Sequence, residues 1–171
     1  MPTIHVCPLR AVPRVVTETG AVHLLTVIEE HFIPDTPPGI APGRHLRLGF
    51  DDIIAPAIGM LHPTRAHVAD ILAFAASWDQ RRPMVVHCWA GISRSTAAAF
   101  ITLCALNPEA AEGEIARRLR ARSPTATPNI LMIEHADDAL GRKGRMIEAI
   151  EDIGSGLLAV AQPFSLPARI T

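Results

Sequence analysis

The sequence predicts a single α/β domain in which helices cover a small central β-sheet. Three observations lead to this fold class. The chain has 171 residues, a length that suits one hydrophobic core. Apolar residues make up 49% of the chain, which is ample to fill such a core. Strand-like runs come early in the sequence, whereas helical patterns dominate its later part.

Four short runs of apolar and β-branched residues predict the strands of the sheet. They cover residues 3–9, 21–28, 45–50 and 84–87. The run at 21–28 is apolar almost throughout, which is typical of a strand that is buried on both faces. Residues 34–43 are rich in proline and glycine, so they predict a loop between the second and third strands.

Periodic patterns predict five helices, at residues 63–78, 95–106, 108–122, 129–140 and 143–153. The helix at 95–106 is apolar all round, which places it in the middle of the domain. Two prolines break the helical pattern at 123–128. Residues 1–153 are therefore expected to form the domain, and residues 154–171 a C-terminal tail that packs only loosely.

Composition excludes several classes of protein. A net charge of -1 gives no general attraction to nucleic acid or to an anionic membrane. No apolar run is long enough for a signal peptide or a transmembrane helix. Three cysteines form a poor disulfide framework, so Cys7, Cys88 and Cys104 are expected to be reduced thiols in the cytoplasm. The eight histidines show no metal-ligand spacing, so we expect neither a metal nor another cofactor, and nothing indicates an oligomeric state.

The most informative stretch is VVHCWAGISRST, at residues 85–96. It places Cys88 after a strand and Arg94 at the start of an apolar helix, with Gly91 allowing a tight turn between them. A loop that leads into a helix N-terminus points backbone N–H groups at an anion, and the same field stabilises a thiolate. Arg94 can grip two phosphate oxygens, the Ser95 hydroxyl can hydrogen-bond the sulfur, and His87 is expected to orient the loop.

The order His-Cys, five residues, Arg-Ser resembles the phosphate loop of the protein tyrosine phosphatase superfamily, and most of all its compact dual-specificity branch and small bacterial relatives. The resemblance implies a mostly parallel sheet in a three-layer α/β/α fold. It also implies phosphate-ester hydrolysis through a cysteinyl-phosphate, with Cys88 as nucleophile, Arg94 binding phosphate and Ser95 assisting the second step. The expected phosphate-binding residues are Cys88, Trp89, Ala90, Gly91, Ile92, Ser93 and Arg94.

The resemblance further implies a general acid on a loop before the cysteine, since the leaving oxygen needs a proton. Asp51 and Asp52 follow the strand predicted at 45–50, and the resemblance favours Asp52, with Asp51 as the alternative. Both could instead be solvated loop carboxylates. Two later positions also match the family: Arg122 could brace the phosphate loop or be a surface charge, and Asn129 is a good helix N-cap that could support the site.

The expected substrate is a phosphorylated protein or a small phosphomonoester. The interior of the loop has no Lys or Arg, which disfavours a highly charged lipid headgroup and leaves phosphotyrosine, phosphoserine and phosphothreonine open. Two other functions compete with this hypothesis. One is a different cysteine-loop enzyme, either a sulfurtransferase or an arsenate reductase, and the other is a non-catalytic phosphate-binding module. Cys7 and Cys104 are expected to be core residues, with a protective disulfide to Cys88 as the alternative.

Overall fold

The computed structural model describes residues 2–170, which form one five-stranded sheet with helices on both faces. The strands are β1 (Thr3–Pro8), β2 (His23–Ile28), β3 (His45–Gly49), β4 (Met84–Cys88) and β5 (Phe164–Pro167). The helices are α1 (Val12–Thr19), α2 (Arg65–Ser77), α3 (Arg94–Leu106), α4 (Glu112–Arg122), α5 (Ile130–Ala139) and α6 (Arg145–Ile153).

The sheet has the strand order β3-β2-β4-β1-β5. The first four strands in this order run parallel, and only β5 is antiparallel to its neighbour, β1. All six residues of β2 are buried, as expected for a strand that is covered on both faces. The predicted fold class, a mostly parallel sheet in a three-layer α/β/α arrangement, is therefore confirmed.

Two hydrophobic clusters lie on opposite faces of the sheet. The smaller one packs α1 against the sheet and includes Cys7, Val15 and Val85. The larger one packs α3 and its neighbouring helices against the other face and includes Val86, Cys88 and Phe100. Every residue from 94 to 104 is buried, which confirms the central position predicted for this apolar helix.

Sequence patterns gave no element for residues 12–19, which form α1. This segment carries three valines and a proline, which favour extended structure when read alone. Val12, Val15 and Val16 nevertheless have the i, i+3, i+4 spacing of one helix face and all three are buried, so packing against the sheet decides in favour of a helix. The helix predicted at 108–122 begins only at Glu112, because residues before it form a turn closed by the Ala110 N–H to Asn107 O bond.

The expectation that the tail packs loosely is wrong for its last part. β5 pairs with β1 along the edge of the sheet, and Leu166 and Ala168 are buried in the larger cluster. Asn107 binds the same segment, since its Nδ2 donates to Ala168 O at 2.9 Å and its Oδ1 accepts from Ile170 N at 2.9 Å. Of the two prolines that suggested an irregular tail, Pro163 precedes this short strand and Pro167 is its last residue, at an edge where proline is tolerated. The boundary at residue 153 stays a prediction.

Candidate active site

The residues of the candidate site follow the strands that end at one edge of the sheet. β4 ends at Cys88, Glu29 follows β2, and Phe50 and Asp52 follow β3. This edge, outside the carboxyl ends of parallel strands, is where ligands bind in open α/β sheets. A cavity of about 330 Å³ lies there, which we call the Cys88 cavity. Its lining residues are Glu29, Asp52, Cys88, Trp89, Ala90, Ile92, Ser93 and Arg94.

The loop between β4 and α3 curls around the sulfur of Cys88. The Gly91 N–H donates to Cys88 Sγ at 3.2 Å, and Ser95 Oγ lies 3.1 Å from the same sulfur. Gly91 has φ +74°, and a Cβ there would lie 2.8 Å from Pro8 N of β1. Both the dihedral angle and the close approach of β1 therefore require glycine. The positive end of the α3 dipole also faces this loop and favours an anion in it.

Arg94 is the first residue of α3, and its guanidinium group is buried beside the Cys88 cavity. One terminal nitrogen donates to Phe50 O at 2.6 Å, and the other donates to Glu29 Oε2 at 3.1 Å. Among the described residues, Arg94 Nε has no hydrogen-bond partner although it is buried. A buried donor without a partner is costly, so an oxyanion in the adjacent cavity would satisfy it.

The two candidate acids lie in different surroundings. Asp52 lines the Cys88 cavity, and its Oδ1 accepts hydrogen bonds from Ser93 Oγ at 2.7 Å and from Asn129 Nδ2 at 2.9 Å. Asp51 lines a separate cavity, and its Oδ2 accepts from Leu61 N at 2.7 Å. The Asp51 N–H also donates to Leu61 O at 2.7 Å, so this residue closes the base of the loop at 52–60. The geometry therefore puts only Asp52 beside the thiol.

Asn129 connects this acid to the helix that follows it. Its Oδ1 accepts from Met132 N at 3.1 Å and so caps α5, as the sequence predicted for an N-cap. Its Nδ2 donates to Asp52 Oδ1 and also to Ile53 O, at 3.1 Å. Its backbone N–H donates to Ser93 O at 3.3 Å, which links α5 to the loop after Cys88. Asn129 thus contacts both the segment that contains Asp52 and the loop that follows Cys88.

His87 belongs to a buried chain of side chains that the sequence did not reveal. Its Nε2 lies 2.7 Å from Thr26 Oγ1, which lies 2.8 Å from His45 Nε2, and His45 Nδ1 lies 2.8 Å from Thr36 Oγ1. The other ring nitrogen of His87, Nδ1, lies 3.4 Å from Cys88 O. Burial lowers the pKa of both histidines to about 4, helped by Arg47 at His45 and by His45 at His87. Both rings are therefore neutral at pH 7, which suits an orienting role for His87.

Arg122 is exposed at the end of α4 and does not line the Cys88 cavity. Its neighbour Arg120 binds the next segment instead, donating to Pro124 O at 2.9 Å and to Gly154 O at 2.7 Å. That segment reaches the loop after Cys88, since the Thr127 N–H donates to Ile92 O at 2.9 Å. The exposed position of Arg122 fits the alternative of a surface charge, and Arg120 touches the loop after Cys88 only through this intervening segment.

Trp89 forms an aromatic wall at the mouth of the Cys88 cavity. Its ring is 52% exposed and packs against Phe32, with the ring centroids 4.7 Å apart. Phe32 follows β2 in the short turn that also begins after Glu29. Trp89 lines the cavity and Phe32 packs against Trp89 outside the lining, so together they offer an apolar surface that an aryl group can contact.

Cys7 and Cys104 are buried and free, and burial raises the pKa of each thiol to about 12. Cys7 belongs to the cluster around α1, whereas Cys88 belongs to the cluster on the opposite face. Because the sheet separates these two side chains, a disulfide between them would need the backbone to move. Among residues 2–170, no group of His, Cys, Asp and Glu side chains has the arrangement of a metal site, and no helix is long and apolar enough to cross a bilayer.

The fold is similar to those of several solved structures of phosphatases and phosphatase-like proteins. Human DUSP28 is 19% identical over 82% of this chain and 89% of its own, with a TM-score of 0.63. The human tyrosine phosphatase-like serine/threonine/tyrosine-interacting protein is 17% identical over 82% of this chain and 92% of its own, with a TM-score of 0.62. PTPMT1, solved with PI(5)P, is 19% identical over 80% of this chain and 87% of its own, with a TM-score of 0.57. No family pattern and no curated protein matches the sequence.

Proposed function

We propose that this chain, which has the fold of the protein tyrosine phosphatase superfamily, is a phosphoric monoester hydrolase that works through a cysteinyl-phosphate. The observation that carries the proposal is the Cys88 cavity. It combines a thiol that accepts an amide N–H, a buried arginine whose Nε has no partner among the described residues, and the Asp52 carboxylate in its lining. Each of these groups has a part in phosphoryl transfer.

In the first step, the Cys88 thiolate attacks phosphorus, and the bond from phosphorus to the ester oxygen breaks. Asp52 in its acid form gives a proton to that oxygen, so the product leaves as a neutral alcohol or phenol. The loop amides, the N-terminal end of α3 and Arg94 Nε stabilise the three equatorial oxygens. Glu29 and Phe50 O hold the two terminal nitrogens of Arg94, which fixes the direction of its Nε.

In the second step, water attacks the phosphorus of the cysteinyl-phosphate and the S–P bond breaks. Asp52, now a carboxylate, accepts the proton from that water, so phosphate is released and the acid form is restored. The Ser95 hydroxyl, 3.1 Å from Cys88 Sγ, donates to the departing thiolate. This donation favours the thiolate as a leaving group and regenerates the starting enzyme.

The proposed substrate is a protein that carries phosphotyrosine, with phosphoserine or phosphothreonine as further possibilities. Arg94 is the one cation among the described residues that line the Cys88 cavity, which suits a single phosphate. The exposed rings of Trp89 and Phe32 at its mouth suit an aryl ester. We further propose that the enzyme works in the cytoplasm without a metal, with its three cysteines reduced.

The test is hydrolysis of para-nitrophenyl phosphate by the purified protein in the presence of a chelator. Cys88→Ser should abolish turnover, because the hydroxyl is a far weaker nucleophile, and Arg94→Ala should nearly abolish it. The wild-type protein should form a phosphorylated species that is trapped on rapid acid quench and is absent from Cys88→Ser. Full activity of Cys88→Ser, or activity that is lost with the chelator, would contradict the mechanism.

Comparing the aryl phosphate with other substrates separates the competing functions. A sulfurtransferase would turn over thiosulfate and an arsenate reductase would reduce arsenate, in both cases in preference to the aryl phosphate. A non-catalytic module would bind phosphopeptides without hydrolysing them. The carboxylate of Asp52 in the cavity wall favours the hydrolase, because neither transfer of sulfur nor mere binding needs a proton donor there.

A further inference from the structure

A second cavity lies next to the Cys88 cavity, and the proposed reaction does not use it. We call it the flanking cavity. Its volume is about 420 Å³, a size that can take a large apolar side chain. Its lining residues are Ile54, Ser93, Thr127, Pro128, Asn129, Ile130, Ile150, Glu151, Gly154 and Ser155.

Only a thin wall separates the two cavities. Ser93 lines both of them. Asp52 lines the Cys88 cavity, and its Oδ1 accepts hydrogen bonds from Ser93 and Asn129, which both line the flanking cavity. The proton that Asp52 gives to the leaving oxygen is therefore delivered beside the flanking cavity. A substrate whose leaving group extends past Asp52 therefore meets the flanking cavity first.

The polar groups of the flanking cavity are largely occupied by the protein itself. The N–H groups of Thr127 and Asn129 donate to Ile92 O and Ser93 O. Thr127 Oγ1 donates to Thr125 O at 3.3 Å and accepts from Gly156 N at 3.0 Å. The surface left for a ligand is mainly that of apolar side chains, namely Ile54, Pro128, Ile130 and Ile150. An apolar group gains most from contact with such a surface.

One charged group completes the lining. Glu151 is exposed on α6 at the rim, and it is the only charged residue among the described residues that line the flanking cavity. The guanidinium of Arg120 lies outside this lining, where it donates to Pro124 O and Gly154 O. With a carboxylate and no cation among the described lining residues, the lining itself disfavours a second phosphate or an acidic side chain. A cation placed just beyond an apolar group would be attracted instead.

We propose that the flanking cavity is a specificity subsite for an apolar residue two positions from the phosphorylated residue of a peptide, with a basic residue beyond it facing Glu151. This inference rests on the proposed function, whose substrate class it narrows to phosphoproteins with apolar and basic flanks. An extended peptide suits the arrangement because side chains two residues apart point to the same side, about 6.6 Å from each other, so they can enter neighbouring cavities.

The experiment compares three phosphotyrosine peptides of equal length as substrates. The first has Leu two residues before and two residues after the phosphotyrosine and Lys beyond each Leu, the second replaces Leu by Ser, and the third replaces Lys by Glu. The first should have a kcat/KM about tenfold above the second, since a buried Leu side chain is worth at least that factor. It should exceed the third about fivefold, as expected for an exposed ion pair replaced by a like-charge pair.

Variants locate the preference in the flanking cavity. Glu151→Lys should reverse the preference between the Lys and Glu peptides. Asp152→Lys makes the same change of charge at the next residue, which does not line the flanking cavity, so it should leave that preference unchanged. Ser155→Trp should fill the cavity and remove the preference for Leu. All three variants should hydrolyse para-nitrophenyl phosphate at the wild-type rate, because that substrate reaches only the Cys88 cavity.

The outcomes distinguish this inference from the proposed function. If the aryl phosphate is hydrolysed but the three peptides are equivalent, or if Asp152→Lys shifts the preference as much as Glu151→Lys, the subsite is refuted and the hydrolase stands. A phosphoinositide in vesicles that is hydrolysed faster than every peptide would also refute it. If no turnover occurs at all, peptide affinities of Cys88→Ser, measured by fluorescence anisotropy, must show the same order for the subsite to hold.

Discussion

Asn129 uses one amide group for two tasks at the residue scale. Its oxygen caps α5, and its nitrogen donates to Asp52 and to Ile53 O. Serine, threonine and aspartate also cap helices well, but none of them offers a second, donating group on the same side chain. The choice of asparagine at this position therefore couples the start of a helix to the orientation of the proposed acid.

Two substitutions should separate these tasks. We expect Asn129→Ser to keep the cap and most of the stability but to lower kcat for an aryl phosphate about tenfold, because Asp52 loses a donor that orients it. Asn129→Ala should lower kcat similarly and also reduce the free energy of unfolding by about 1 kcal/mol, the usual cost of a lost cap. Urea denaturation and steady-state kinetics check both effects. A serine variant with the wild-type kcat would show that Asn129 only caps the helix.

The neighbouring pair Asp51 and Asp52 gives a second prediction at this scale. Asp52→Asn should lower kcat about 10²- to 10⁴-fold, the usual range for a lost general acid. The loss should be larger for phenyl phosphate than for para-nitrophenyl phosphate, because phenoxide is the more basic leaving group. Asp51→Asn should cost much less and should affect both substrates equally, since Asp51 binds the backbone of Leu61. A larger loss from Asp51→Asn would reverse the assignment.

What the sequence revealed of the site depends on where its residues lie along the chain. Cys88, Arg94 and Ser95 lie within eight residues of each other, so a single sequence motif predicted that they share one site. Glu29 was missed, although it directly follows the predicted strand at 21–28 and so had to reach the same edge of a parallel sheet. Thr26 carried no comparable signal, because its part depends on which strands become neighbours.

At the scale of elements, three strands are tied together by buried polar side chains. Thr26 of β2 lies between His87 of β4 and His45 of β3, with contacts of 2.7 and 2.8 Å. The bonds have one consistent direction if His87 Nδ1–H donates to Cys88 O. Thr26 then donates to His87, and His45 donates to Thr26. Such a chain leaves no ring nitrogen unsatisfied, which a buried polar network requires.

This network should make stability depend on pH in a particular window. The pKa of each histidine is lowered to about 4 in the folded protein, chiefly by burial, against about 6.5 in the unfolded chain. Between these values the unfolded chain binds protons that the folded protein does not, so stability falls as pH drops from about 6.5 to about 4. The expected slope is about 1.4 kcal/mol per pH unit for each histidine.

The control is His45→Gln, which keeps an amide to bond Thr26 but does not titrate. The free energy of unfolding, measured in urea at several pH values from 4.5 to 7, should fall less steeply for this variant by about one proton. Contributions from carboxylates elsewhere are common to both proteins and drop out of the difference. Equal slopes would mean that His45 binds protons equally in the folded and unfolded states.

The elements themselves were predicted where the local pattern agrees with the tertiary environment. The strand at 84–87 and the apolar helix after it are examples, because both are buried and both look buried in the sequence. α1 was missed because its valines favour extended structure locally, and only the sheet beneath them favours a helix. β5 was missed because a strand of four residues depends on a partner more than 150 residues earlier in the chain.

At the scale of the whole molecule, β5 extends the sheet by one strand at the edge formed by β1. β5 covers the edge of β1, which would otherwise expose unpaired backbone groups. The tail also reaches the candidate site, because Gly156 and Leu157 bond to Thr127 and Pro124, in the segment that contacts the loop after Cys88. The flanking cavity is part of the same arrangement, since Gly154 and Ser155 form one of its walls. No local pattern could have predicted a cavity assembled from four segments.

Two leucines in the tail offer a matched test of how firmly it is attached. Leu166 of β5 is 1% exposed, whereas Leu158 is fully exposed a few residues earlier. Leu166→Ala should reduce the free energy of unfolding by about 2–4 kcal/mol, through lost burial and the cavity left behind. Leu158→Ala, the same substitution in the same segment, should change it by less than about 0.5 kcal/mol. Both values come from urea denaturation of the full chain. Similar small effects at both positions would support the original prediction of a loosely packed tail. A large effect at Leu166 alone would mean that residues 164–168 are part of the fold. Truncation at residue 153 would then expose the edge of β1 to aggregation.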